Sequence, residues 1–166
     1  MRHALCWLIK EGHMTPEEKL DSLGIELPEM AQPLGSYVPF LRTGNLLYVS
    51  GMLPLKGGMI EKTGRVGETV TPEEAALAAK TAAINGIAVL KAAVGSLGRV
   101  RRCVKISGFV ASAEDFTEQP KVVNGASDLL SEIFGERGRH TRVAVGVNVL
   151  PLNAPVEISF IFEVED

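Results

Sequence analysis

Cysteine is scarce in this sequence: only Cys6 and Cys103 occur among 166 residues. Two isolated cysteines give neither a metal-ligand spacing nor a disulfide framework, which favours a reducing compartment such as the cytoplasm. There is no cluster of His, Cys and Asp ligands and no glycine-rich phosphate loop after a strand, so neither a metal nor a cofactor is predicted. Cys103, at the start of a predicted strand, is expected to be structural rather than reactive.

Aromatic residues make up only 5% of the chain, and the formal net charge is -3. Few aromatic rings leave few platforms for stacking bases, and a net negative charge gives no general attraction for polyanions. The basic residues Arg99, Arg101, Arg102 and Lys105 could form a phosphate patch or a solvated strand edge, and we favour the edge. No nucleic-acid partner is therefore expected. No apolar run is long enough to span a bilayer, so no membrane partner is expected either.

The sequence does contain enough apolar residues, 46%, for one domain with a sizeable core. Met14, an alternative translation start, precedes a clear helix start with Thr15 as the N-cap and Pro16 at the first helical position. We therefore predict an N-terminal extension over residues 1–14, poorly ordered or forming an added strand. A single domain is predicted over residues 15–166.

Hydrophobic periodicity divides this domain into short strands and two long helices. The predicted strands cover 37–42, 46–51 and 100–111, and the predicted long helices cover 71–93 and 120–134. The first long helix should turn one apolar stripe to the core, formed by Leu77, Ile84, Ile87, Leu90 and Val94.

Two further strands are predicted near the end of the chain. Apolar residues recur at every second position from Val143 to Val149 and again from Val156 to Val164, as pleated strands require. The loop between them contains two prolines, so we predict a hairpin with a long loop. The whole order indicates an α+β fold, with a mixed sheet of about six strands and two long helices on one face. The other face stays apolar, which predicts a closed homo-oligomer.

One strand of this pair carries a cation beside small residues. Arg142 shares a face of its predicted strand with Ala144 and Gly146, and Glu157 interrupts the following apolar strand. These features suggest a charged pocket against the sheet. The alternative, commoner for an isolated pair, is a surface arginine beside a solvated strand face. His140 is likewise open between a pocket group and a surface residue.

The sequence resembles the RidA/YjgF family, also labelled endoribonuclease L-PSP. The resemblance is carried in order by Gly35-Ser36-Tyr37-Val38, by the run 47–54, and by Arg142 followed by Leu150-Pro151 and Val156-Glu157-Ile158. The runs 116–127 and 135–140 are similar to the branch of the family described as chorismate-mutase-like.

This resemblance implies a chorismate-mutase-like fold and a homotrimer. Clefts between its subunits would bind a small carboxylate metabolite, a 2-imino or 2-keto acid, and hydrolyse the imine to keto acid and ammonia. It implies that Arg142 binds the carboxylate and that Glu157 holds the attacking water. Residues that match cleft-lining positions are Tyr37, Ser50, Gly51, Asn124 and Ala144.

The sequence departs from the deaminase branch at Ala144, where that branch often has a cysteine. Three functions therefore remain open. The first is an imine deaminase, the second is a non-catalytic trimeric binding protein for small carboxylates, and the third is an endoribonuclease. We rank them in that order.

Overall fold

The computed structural model describes residues 14–30 and 35–166, so most of the predicted extension over residues 1–14 lies outside the described residues. The described residues form three α-helices, namely α1 (Pro16–Ser22), α2 (Pro72–Val94) and α3 (Gln119–Phe134). Seven strands are formed: β1 (Phe40–Thr43), β2 (Leu46–Met52), β3 (Leu55–Lys56), β4 (Met59–Ile60), β5 (Val100–Ala111), β6 (Thr141–Val147) and β7 (Val156–Val164).

The predicted helix starts are confirmed by their caps. Thr15 accepts a hydrogen bond from the backbone N–H of Glu18, and the Glu18 carboxylate accepts one from the Thr15 N–H. The same reciprocal pair joins Thr71 and Glu74 at the start of α2. These capping boxes satisfy backbone donors that a helix start would otherwise leave unpaired.

The main sheet has five strands in the order β1-β2-β7-β5-β6, and β3 and β4 form a separate hairpin. Within this sheet, β5 and β6 pair in parallel and the other neighbouring strands pair antiparallel, so the predicted mixed sheet is confirmed. The predicted hairpin of β6 with β7 is wrong, because β5 lies between them. The chain leaves β5, crosses through α3 and returns beside β5 in the same direction, as parallel pairing requires.

Helices α2 and α3 cover one face of the sheet. A Cβ on Gly86 of α2 would lie 2.5 Å from the ring of Phe160, and one on Gly108 of β5 would lie 2.5 Å from Val123 of α3. Because the elements pack this closely, α2 buries small residues, namely Ala75, Ala79, Ala82 and Ala83. The expectation that Leu77 faces the core is wrong, since that side chain is 67% exposed.

By length and composition alone, α2 could cross a membrane, contrary to the expectation that no apolar run is long enough. Half of the most apolar stretch of this helix is buried within the domain, as in an ordinary core helix. It packs against both α3 and the sheet.

The face of the sheet opposite the helices, which we call the open face, carries exposed apolar side chains, as predicted. Leu41 and Tyr48 pair across β1 and β2 and are 62% and 41% exposed. Val143 and Val145 of β6 lie on the same face and are also exposed. An apolar sheet face of this kind is a common contact surface between protein chains.

Cys103 and the basic residues behave as predicted. Cys103 is 1% exposed, and burial raises the pKa of its thiol to about 12, so it is an unreactive core residue. Arg101 and Arg102 are exposed at the start of β5, before β6 begins to pair with it. Arg102 pairs with Glu163 at 3.3 Å, which is the solvated strand surface that we expected.

Gly125 of α3 is a close-contact position between the two long helices, and Gly125→Ala should destabilise the protein. An added Cβ would lie 1.9 Å from the backbone oxygen of Ala76 in α2. Helix propensity alone would make this change stabilising by about 1 kcal/mol. Overpacking against rigid backbone should outweigh it, so we expect a net loss of about 2 kcal/mol. Urea unfolding at one fixed protein concentration measures this, with exposed Ser131→Ala on the same helix as the control.

Unchanged or increased stability of Gly125→Ala would show that α2 and α3 can separate at little cost, contrary to the packing described here.

Candidate functional site

Arg142 lies on β6, and its side chain is held against α3. Its Nη1 donates to Asn124 Oδ1 at 2.8 Å and to Ser127 Oγ at 3.0 Å, and its Nη2 donates to the backbone oxygen of Pro120 at 3.2 Å. All three acceptors belong to α3, within its first two and a half turns. The helix therefore fixes the orientation of the guanidinium plane.

The same contacts leave part of the guanidinium available. Arginine has five N–H donors, and three of those of Arg142 are used within the chain. The Nε–H and the second Nη2–H have no partner in the part of the chain that the structure describes. Two adjacent donors on one planar group suit bidentate binding of a carboxylate.

Ala144 lies two residues after Arg142 on the same face of β6 and packs against the core beside Gly108 of β5. The methyl side chain adds no polar group next to the guanidinium. The Arg142 guanidinium therefore lies beside a small apolar wall.

His140 is partly buried and is connected to Arg142 through a serine. Its Nε2 is 3.0 Å from Ser127 Oγ, and its Nδ1 is 2.6 Å from the backbone oxygen of Gly138. Of the two interpretations left open for His140, a pocket group or a surface residue, neither fits fully, because the ring is partly buried and supports Arg142 through Ser127. Ser127 was not recognised from the sequence. Its spacing from Asn124, three residues along one helix, is the signal that could have placed both on the face toward β6.

Glu157 forms a second centre, on the open face of the sheet. Its carboxylate is half-buried, and burial raises its pKa above the ordinary glutamate value. Within residues 14–30 and 35–166, no side chain or backbone group hydrogen-bonds to it. A partly buried carboxylate without a partner is free to bind a water or a ligand.

The carboxylate lies at a cavity of about 470 Å³. Two of the predicted cleft residues, Tyr37 and Gly51, line this cavity with Glu157, and its other walls are largely apolar, including Met52, Leu53, Leu55 and Val89. A volume of this size accommodates a small metabolite.

Ser50 has a supporting position at this cavity. Its Oγ donates to the backbone oxygen of Val38 at 2.7 Å, and its N–H donates to that of Pro39 at 3.0 Å. Both bonds fix the segment that follows Tyr37. The Ser50 hydroxyl thus holds the wall of the cavity in place.

Gly51 lets the Glu157 carboxylate reach its position, and Gly51→Ala should disturb the site without unfolding the protein. A Cβ at residue 51 would lie 1.8 Å from Glu157 Oε1. The carboxylate ends a flexible side chain, so we expect it to swing away and the affinity for a 2-keto acid, the kind of ligand that the family resemblance implies, to fall roughly tenfold. Calorimetry with a 2-keto acid measures this.

A double-mutant cycle provides the control for Gly51→Ala. Glu157→Asp withdraws the carboxylate by one methylene and should make the same glycine substitution nearly neutral. Equal losses in both backgrounds would mean that the alanine acts through something other than the carboxylate.

The two centres lie on opposite faces of the sheet. Arg142 is level with Ile106 and Phe160, whose side chains are buried beneath the helices. Glu157 is level with Phe109, on the open face. The structure thus groups Arg142 with Asn124 and Ala144, and Glu157 with Tyr37, Ser50 and Gly51. It does not bring the two groups together within one chain, and β7 is not the neighbour of β6 that the sequence suggested.

No metal centre is formed by the described residues: among them, no group of three or more His, Cys, Asp or Glu side chains could hold an ion.

Fold and site together define a small α+β domain that offers an anchored arginine on one side of a mixed sheet and a half-buried glutamate on the other. Residues 17–164 match the family described as "YjgF/chorismate mutase-like, putative endoribonuclease". The chain belongs to this family, as the resemblance of its motifs predicted.

Relatives of known sequence and structure agree with this assignment. The chain is 45% identical over 150 residues to Protein TCP17 of Trypanosoma cruzi, covering 89% of this chain and 92% of that one. It is 31% identical over 141 residues to the 2-iminobutanoate/2-iminopropanoate deaminase of Dermatophagoides farinae, covering 85% and 95%. The crystal structure of Atu1372 from Agrobacterium tumefaciens, a protein with unknown function, superposes with a TM-score of 0.85 at 49% identity, covering 90% and 92%.

Proposed function

We propose that this protein is an imine deaminase that hydrolyses small 2-imino acids to 2-keto acids and ammonia, in clefts between the subunits of a homotrimer. The observation that carries this proposal is the Glu157 carboxylate, which is half-buried at a cavity with a raised pKa and no partner in the described chain. The similarity to a 2-iminobutanoate/2-iminopropanoate deaminase supports it.

The cleft combines the two centres from different copies of the chain. Arg142, Asn124 and Ala144 of one subunit would face Glu157 and Gly51 of the next. The apolar open face supports this arrangement, because association would remove its side chains from water. The free donor pair of Arg142 would bind the substrate carboxylate and place the imine carbon near the Glu157 carboxylate.

Hydrolysis then needs one water and no redox chemistry. The substrate is bound as its protonated imine, and the Glu157 carboxylate accepts a proton from water as the oxygen attacks the imine carbon. The resulting carbinolamine has a new C–O bond. Glu157 returns the proton to the nitrogen and the C–N bond breaks, releasing ammonia. The hydroxyl proton passes to the Glu157 carboxylate as the keto group forms, and from there to the departing ammonia, so that ammonium is the product. A carboxyl group with a raised pKa suits both the acceptance and the return of a proton near neutral pH.

The direct test is the rate of ammonia release from a 2-imino acid generated in place by an amino-acid oxidase, compared with the same reaction without the protein. Acceleration by the wild-type protein is the expected result. Calorimetric binding of 2-keto acids without acceleration would instead establish a non-catalytic binding protein. Neither binding nor turnover, together with RNA cleavage lost in Glu157→Gln, would favour the endoribonuclease alternative.

Mixing two impaired variants, assayed at a substrate concentration well below KM, tests whether subunits share the site. Arg142→Lys and Glu157→Gln chains are unfolded together, refolded as mixed trimers and assayed. If each cleft takes its arginine and glutamate from different chains, about a quarter of the clefts should be restored. If both residues of a cleft came from one chain, no mixture would regain activity.

A further inference from the structure

The geometry points to Ser127 and His140 as positioning residues that hold the Arg142 guanidinium for carboxylate binding, a role that rests on the proposed function of Arg142. The three side chains form a continuous hydrogen-bonded series that begins at the guanidinium and ends at a backbone carbonyl. We call this series the Arg142 relay. It neither contacts Glu157 nor takes part in the proton transfers.

The direction of each bond follows from the end of the series. A carbonyl oxygen only accepts, so the 2.6 Å contact with the oxygen of Gly138 places a hydrogen on His140 Nδ1. In the neutral ring, Nε2 is then an acceptor, and the Ser127 hydroxyl donates to it at 3.0 Å. The Ser127 oxygen keeps its lone pairs for Arg142 Nη1, also at 3.0 Å.

The far end of the relay is rigid. Gly138 is buried against α3, and a Cβ there would lie 2.1 Å from the backbone oxygen of Leu130. Only glycine allows the chain to approach the helix this closely. The carbonyl that orients His140 is therefore fixed to the same helix that carries Ser127.

This arrangement explains how a long side chain keeps one orientation on an edge strand. Arg142 could rotate about its terminal bonds, and ordering a side chain of this length has an entropic cost. Asn124 and Ser127 accept from Nη1 and the Pro120 carbonyl accepts from Nη2, which leaves the Nε–H and one Nη2–H without a partner in the described chain. Losing the serine hydroxyl should remove one of the hydrogen bonds that hold the guanidinium. The two free donors would then point toward the carboxylate site for a smaller fraction of the time.

The experiment combines kinetics with guanidinium ¹⁵N NMR on four variants: Ser127→Ala, His140→Ala, His140→Gln and the control Ser131→Ala. The side chain of Ser131 lies one turn further along α3, is exposed and makes no hydrogen bond within the described residues. Glutamine can present an acceptor near the position of the imidazole Nε2, so it is the conservative replacement. The Arg142 signal is assigned by its loss in Arg142→Lys.

For Ser127→Ala, we expect a roughly tenfold rise in KM with kcat changed by less than about twofold, because carboxylate binding contributes equally to the ground state and the transition state. His140→Ala should raise KM about threefold, and His140→Gln should restore most of this loss. In the spectrum, rotation of the Arg142 guanidinium should be faster in Ser127→Ala and His140→Ala but unchanged in Ser131→Ala.

The two readouts separate the relay from the proposed function. Unchanged guanidinium rotation in Ser127→Ala would overturn the relay even if the protein is a deaminase. Faster rotation in a protein that neither binds nor hydrolyses imino acids would retain the relay and refute the deaminase function. A fall in kcat at constant KM would also contradict a positioning role.

Discussion

Replacing Glu157 with glutamine should lower kcat for imine hydrolysis by about 100-fold and remove the acid limb of its pH profile. Glutamine keeps the size of the side chain but cannot accept a proton from water. The fold and the shape of the cavity wall at residue 157 should therefore be unchanged. The substitution then removes the proton transfer and little else. Initial rates of ammonia release between pH 5 and 9 measure both effects.

The sign of the pH effect follows from the burial of Glu157, which raises its pKa in the folded protein. The carboxylate is the active form, so activity should fall as the pH is lowered through this raised pKa, above the range of an ordinary glutamate. Protonation of the same group favours the folded state. Its contribution to stability is present at low pH and is lost as the pH rises through the folded pKa. Glu157→Gln should consequently be at least as stable as wild type at pH 7.

Two outcomes would count against this role of Glu157. One is an acid limb that persists unchanged in Glu157→Gln, which would place the titrating group elsewhere. The other is a loss of rate accompanied by a large loss of stability, which would show that the carboxylate serves the fold.

Arg142→Lys should raise KM for the imino acid, and Kd for the matching keto acid, about 100-fold. Lysine keeps the positive charge but offers a compact ammonium group in place of a planar donor pair. It can satisfy only some of the acceptors on α3, namely Asn124 Oδ1, Ser127 Oγ and the Pro120 carbonyl. The substrate carboxylate would then compete with these groups for fewer donors.

The matched control for Arg142→Lys is Arg139→Lys, three residues earlier in the chain. Arg139 is exposed and pairs with Glu136 at the surface, so its replacement should leave KM unchanged. Equal effects of the two substitutions, measured by calorimetry and initial rates, would indicate that overall charge rather than the fork of donors binds the acid.

Local features of the fold could be predicted from the sequence because they depend on neighbouring residues. The capping boxes at Thr15 and Thr71 involve residues three apart, and the strand over 100–111 follows from its own periodicity. Pairing between strands depends on the path of the whole chain. The alternation in β6 and β7 identified two strands, but nothing in it indicated that β5 would lie between them.

The core of α2 illustrates a second limit. Ile87, Leu90 and Val94 of the predicted stripe are buried, but Leu77 is exposed. In the first half of α2, where α3 packs closely, alanines fill the interior instead. Whether a large or a small side chain faces inward depends on the distance between elements, which the helical period does not encode.

The candidate site divides in the same way. Residue types identified Arg142 and Glu157 as the important charges, but the faces of the sheet that they occupy depend on strand register. A shift of one residue in the register moves every side chain of a strand to the opposite face. The connection of His140 to Arg142 through Ser127 joins a loop, a helix and a strand, so spacing along the chain could not reveal it.

The separation of Arg142 and Glu157 by the thickness of a sheet also affects how the protein would behave in dilute solution. A small 2-imino acid cannot reach through the sheet, so under the proposed function a solitary copy would have no working catalytic centre. Turnover per chain should then collapse once dilution drives the copies apart. The total activity would then rise more than in proportion to the amount of protein in the cell, and at low abundance almost no activity would remain.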